Sequence, residues 1–175
     1  MLQRIEREIA LGEKGHSIAK ANSLVDPQLI QAFYRASQAG VKVEMIIRGI
    51  CCLRPGLEGI SDNIQVNSVV GRFLEHSRIY YFHNDGNSEM FVGSADLMPR
   101  NIDRRVEVLF PIEEEEMRQH IVENILDIYL RDTAKAYALQ GDGTYTHISE
   151  SVEDGEELFN SQLHFLQEHT GATAD

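Results

Sequence analysis

No apolar run in this sequence approaches the roughly 20 residues that cross a bilayer, so a membrane-spanning helix is not expected. Cysteine is scarce, and the two present, Cys51 and Cys52, are neighbours. Adjacent cysteines rarely close a disulfide, because the bridge needs a strained peptide. The pair is expected to be reduced, as two small side chains ending a buried strand in a cytoplasmic protein. Cysteine–histidine zinc spacing is absent, and His76 and His83 stand seven residues apart across a change of local structure, so no metal ligands are assigned. The Walker-type GxxxxGK run and the GxGxxG fingerprint are both missing, which removes the common nucleotide cradles. Positive charge is in deficit, with 16 Lys and Arg against 28 Asp and Glu and a formal net charge of −12. That balance argues against nucleic acid bound through a broad basic surface. Internal repeats and low-complexity blocks are lacking. The opening MLQRIEREIALGEKG alternates charged and aliphatic residues and does not read as a signal peptide.

What remains has the composition of a globular domain, 42% hydrophobic and 25% charged over 175 residues. The negative charge is uneven. Between Arg48 and Arg105 seven arginines balance seven acids, and no lysine occurs there. Arginine is the cation that forks onto phosphate.

Residues 2–11 read as an amphipathic helix and 16–24 as a strand ending in a polar turn. The clearest stretch is VDPQLIQAFYRASQAG, with Asp26 as N-cap, Pro27 at the first helical position and Gly40 past the end. Val25 and Ile30 are spaced as a hydrophobic staple, and Leu29, Ile30, Phe33 and Ala36 or Ser37 form the buried stripe. VKVEMIIRGI (41–50) follows as a strand buried on both faces, which completes a βαβ unit. Strands are expected at 64–70, at 77–85 and 88–95 around an Asn84–Asn87 turn, and at 104–112. Glu113–Glu116 then open a long helix that carries Met117, Ile121, Ile125, Leu126 and Tyr129 inward. From 141 the chain turns polar and Gly-rich, with a last helix at 155–168. The fold class is α/β, a mixed sheet flanked by helices. Residues 1–140 are read as the domain and 141–175 as a tail of unassigned role.

Three polar clusters end predicted strands: Lys20–Ser23, Arg48–Gly49, and His76–Arg78 with Gly93–Asp96. Ligands of parallel α/β sheets bind beyond the carboxyl ends of the strands. The third cluster is similar to half of the phospholipase D pattern HxK…GSxN, with Arg78 for the lysine and Asp96 for the asparagine. An imidazole there can attack phosphorus, protonate a leaving oxygen or bind phosphate.

Taken in order, KANSLVDPQLIQAFYRASQAGVKVEMIIRGICCL, GLEGISDNI, FLEHSRIYYF and SADLMPRNIDRRVEV resemble the C-terminal, second phospholipase-D-like domain of type 1 polyphosphate kinase, from about Met1 to Tyr137. The resemblance implies a phospholipase-D-like fold and reversible transfer of the terminal phosphate of ATP to inorganic polyphosphate. It implies magnesium with the nucleotide, its principal ligands outside this domain. The family's phosphorylated histidine lies in a preceding domain, so the 175 residues alone are expected to be inactive. Arg48 matches the family's ATP-contacting arginine. His76 matches its second active-site histidine, a phosphate contact and candidate acid or base. Lys20, Asn22, Arg78, Asp96 and Asn101 are expected to line the ATP/phosphate pocket. Implied partners are ATP, ADP, polyphosphate and the preceding kinase domains, in a homo-oligomer that is cytoplasmic or peripheral to the inner membrane. A stand-alone phosphodiesterase working as a homodimer and a non-catalytic oligomerisation module are the alternatives.

Overall fold

The computed structural model describes residues 1–99, 106–153 and 155–170, apart from the side chains of 169 and 170. Strand β1 (His16–Ala21), helix α2 (Pro27–Gln38) and strand β2 (Lys42–Ile47) form the expected unit, with β1 and β2 parallel and His16 opposite Lys42. The cap is as read: Asp26 Oδ1 accepts from the backbone N–H groups of Gln28 and Leu29 at 2.9 and 3.0 Å. Gly40, at φ 94°, turns the chain out of α2 in the left-handed region.

The remaining strands are β3 (Ile64–Val69), β4 (Ile79–Phe82), β5 (Glu89–Gly93), β6 (Leu109–Pro111), β7 (Ala136–Leu139) and β8 (Tyr145–His147). They make one eight-stranded sheet in the order β6-β5-β4-β1-β2-β3-β7-β8. The centre, β1-β2-β3, is parallel, and antiparallel strands flank it on both sides. Strand alternation divides the core. Ala19, Val43 and Met45 pack with Ile5 of α1 (Leu2–Leu11) and with Leu29 and Phe33 of α2. Ile18, Ile46 and Val69 point the other way, to Leu126 and Tyr129. Both faces of the central strands are therefore covered, as the MII run implied.

The second face is covered by α3 (Glu115–Ile121), a π-helical turn (Val122–Leu126), α4 (Asp127–Leu130) and α5 (Ser161–Thr170). The π turn explains a difference from the sequence reading. Its wider winding shifts the face, so Leu126 is fully buried while Met117, expected inward, is 47% exposed. Leu126→Ala is expected to cost about 3 kcal/mol, read as a lower urea midpoint at unchanged slope.

Other boundaries also move. Strand β6 begins at Leu109 rather than 104, and residues 100–105 lie outside the described set. The β4–β5 turn is a 3₁₀ turn in which Asn84, Asp85 and Gly86 all have positive φ. Strand β2 stops at Ile47, before the cysteines, and Cys51 instead bridges to Leu24. Burial pushes the Cys51 thiol up to about 11. The polar stretch after 141 is bound to the sheet: β8 pairs with β7, and the last helix starts at Ser161. The Asp132 carboxylate, fully buried, accepts from the N–H groups of Lys135 and Ala136 and from both the N–H and hydroxyl of Ser161.

Candidate functional site

Because β1 and β2 are parallel, their carboxyl ends place Asn22 and Arg48 side by side. Arg48 donates from Nε and Nη2 to Asn22 Oδ1, at 3.0 and 2.9 Å. Asn22 in turn holds Asp96 through its backbone N–H (2.8 Å) and Nδ2 (3.3 Å). Asp96 receives Arg78 as a fork, Nε on Oδ1 at 3.2 Å and Nη2 on Oδ2 at 3.1 Å. The third guanidinium nitrogen of Arg78 donates to His76 Nδ1 at 2.8 Å and to the His76 carbonyl at 3.0 Å. One hydrogen-bonded line thus runs Arg48–Asn22–Asp96–Arg78–His76.

The two arginines are in different electrostatic states. Arg78 is neutralised by Asp96. Arg48 is half-buried and has no carboxylate within 4 Å among the described residues. A half-buried cation without a counter-ion among the described residues is poised for an anion. The exposed imidazole is also set. Arginine only donates, so Nδ1 must present its lone pair, and the neutral ring carries its proton on Nε2. Burial alone would raise the Asp96 carboxyl, but the bonds from Arg78 and Asn22 outweigh it and hold the group below its usual range.

Lys20 is placed otherwise than its sequence position suggests. It shares the Ile18 face of β1, is 2% exposed, and ends 3.3 Å from Glu75 Oε2, over the ring of Tyr129. Burial, opposed by Glu75 and reinforced by the Arg48 and Arg78 charges, lowers its ammonium below the ordinary lysine value. Glu75, a chain neighbour of His76, faces Lys20 and Gln162 instead of the imidazole. Asn101 lies outside the described residues. Clefts open beside the line. One, of about 380 Å³, runs from Arg48 along 69–74, and another, of about 520 Å³, is lined by His76, Ser77, Tyr129 and Phe165.

This geometry sits in a chain whose residues 1–162 match the family model described as polyphosphate kinase C-terminal domain 2. The chain belongs to that family. Polyphosphate kinase 1 of Chlorobaculum tepidum is 49% identical over 173 residues, 97% of this chain and 24% of that protein. The crystal structure of polyphosphate kinase from Porphyromonas gingivalis superposes with a TM-score of 0.87 at 37% identity, covering 97% of this chain and 26% of that one. NucT from Helicobacter pylori shares the fold alone, with a TM-score of 0.50 at 14% identity over 71% of this chain and 88% of NucT. The chain spans about a quarter of the length of the curated relatives it matches, 24% in the Chlorobaculum case. The two departures from the HxK…GSxN pattern are explained together. Arginine replaces lysine and aspartate replaces asparagine, and the two replacements bind each other.

Sequence reasoning missed the contributions of Glu75 and Gln162. The alternation of β1 carried the signal for Lys20, since a lysine between Ile18 and Asn22 on a buried strand needs a carboxylate. Nothing local marked Gln162, 87 residues from Glu75, as its partner.

Proposed function

We propose that this domain supplies the nucleotide-phosphate wall of a polyphosphate kinase, which transfers the terminal phosphate of ATP reversibly to inorganic polyphosphate. The observation that carries the reading is Arg48, a half-buried guanidinium at a strand end with no carboxylate against it and Nη1 without a partner among the described residues. Phosphoryl transfer asks a protein chiefly to position reactants and neutralise charge. Arg48 supplies the charge, held in orientation by Asn22. His76 offers its Nε2–H to a phosphate oxygen, oriented by Arg78. Asp96 lies close to a polyanion's path, but four donated hydrogen bonds from Asn22 and Arg78 take up its charge.

The histidine that carries the phosphoryl group belongs to another part of a longer kinase chain, so the 175 residues alone are expected to make no polyphosphate. Magnesium enters with ATP as substrate. Among the described residues no group of three His, Cys, Asp or Glu could hold a metal ion, and the site's own carboxylate is committed to Arg78 and Asn22. On the family resemblance the working enzyme is a homo-oligomer, cytoplasmic or peripheral to the inner membrane. None of the described helices is long and apolar enough to cross a membrane.

Calorimetric titration of this chain with ATP–magnesium tests the reading. Heat of binding is expected in the wild type and a loss of about tenfold or more in affinity in His76→Ala. Equal affinity in both proteins would remove His76 from the phosphate site.

A further inference from the structure

Lys20, Glu75, Tyr129 and Gln162 form a buried polar cluster that the phosphate chemistry does not use. The Lys20 ammonium and the Glu75 carboxylate are 2% and 7% exposed. Gln162 closes the cluster from α5. Its Nε2 donates to Glu75 Oε1 at 2.6 Å and to the Phe73 carbonyl at 2.8 Å, and its Oε1 accepts the Phe73 N–H at 2.9 Å. Gly71 makes the approach possible, because a Cβ there would stand 2.4 Å from Gln162 Oε1.

These contacts grip the chain at Phe73 and Glu75, immediately before His76. A buried ion pair is a poor device for stability, since apolar residues of the same volume do as well or better. It is a good device for fixing geometry, because either charge left alone in the interior is strongly penalised. His76 is exposed and among the described residues has only Arg78 as a side-chain hydrogen-bond partner, so its backbone must be held from the other side. We infer that Lys20 and Glu75, with Gln162 behind them, are positioning residues that fix the His76 segment. Lys20 is then no phosphate ligand: its Nζ faces Glu75 and Tyr129. The inference rests on the kinase reading above and adds α5 to the support of that site.

The test uses a polyphosphate kinase containing this domain, assayed for ATP-dependent synthesis. Lys20→Met is expected to lower kcat about tenfold or more while KM for ATP moves less than about twofold. The double variant Lys20→Met/Glu75→Gln, which leaves no lone charge, is expected to recover most of that loss. If Lys20→Met raises KM about tenfold with kcat retained, Lys20 touches phosphate and the inference is overturned. Should Lys20→Met fail to fold, Gln162→Ala on the outer helix decides. Faster hydrogen exchange at the Phe73 amide with a kcat about threefold lower supports the clamp, and faster exchange with unchanged kcat overturns it. His76→Ala is run alongside: full synthesis in that variant sinks the kinase reading itself, whatever Lys20 does.

Discussion

In a polyphosphate kinase that contains this domain, Arg48→Ala is expected, on the proposed function, to lower kcat/KM for ATP-dependent polyphosphate synthesis by about 10²–10³, equivalent to about 3–4 kcal/mol of transition-state stabilisation. The size follows from the site's charge balance. A guanidinium already satisfied by a carboxylate adds little to an incoming phosphate, and Arg78 is in that position beside Asp96. Arg48 is not. Its two bonds to Asn22 are to a neutral amide oxygen, which orients the fork and leaves its charge uncompensated. Both kcat and KM should change, because the charge is present for ground-state ATP and for the transferring phosphoryl group. Arg48→Lys restores a charge but not two fixed donors, and is expected to recover part of the loss. The same variants should keep their urea midpoints close to the wild type, since Arg48 closes no buried ion pair. Activity of Arg48→Ala within about twofold of the wild type would mean that another cation holds the phosphate.

Much of this arrangement was legible beforehand because its signals are local. Asp26, Pro27 and Gly40 bracket α2 in the sequence as they do in space, and the MII run needs a sheet covered on both sides. Once β1 and β2 are parallel neighbours, Asn22 and Arg48 must meet. The meeting of His76–Arg78 with Asp96 follows from the β4–β5 hairpin, whose register pairs Ile79 with Val92 and sets Arg78 beside Gly93. What was not legible depends on contacts far apart in sequence. The π turn at Val122–Leu126 has no sequence punctuation, so the Met117 face was misjudged. The stretch after 141 is polar and reads as a tail of unassigned role, yet Ser161 satisfies Asp132 and Gln162 satisfies Glu75. Polar residues that serve as the partners of buried charges have the composition of a tail, and only the tertiary structure distinguishes the two.

Asp96→Ala is expected to be the most destabilising single change at the site, by about 3 kcal/mol, or about 10 °C in Tm. Asp96 ties the turn after β1 to Arg78 at the start of the β4–β5 hairpin through its side chain, and its loss leaves Arg78 as a half-buried cation without its fork and Asn22 without an acceptor. The pH dependence gives the effect a signature. In the folded protein the Asp96 carboxyl is held below its ordinary value by Arg78 and Asn22 despite burial. A depressed carboxyl stabilises the fold above its unfolded value, near about 4, and that contribution disappears as pH falls through the lower, folded value. The difference in urea midpoint between the wild type and Asp96→Ala should therefore stay constant from about pH 8 down to about pH 5 and close at more acidic pH. Catalysis should fail with it at neutral pH, because Arg78 then has no fixed orientation from which to hold His76 Nδ1, and the imidazole loses its set tautomer. A midpoint difference that persists unchanged well below pH 4 would show that Asp96 acts by filling space, and that the line from Arg48 to His76 is held together by packing rather than by charge.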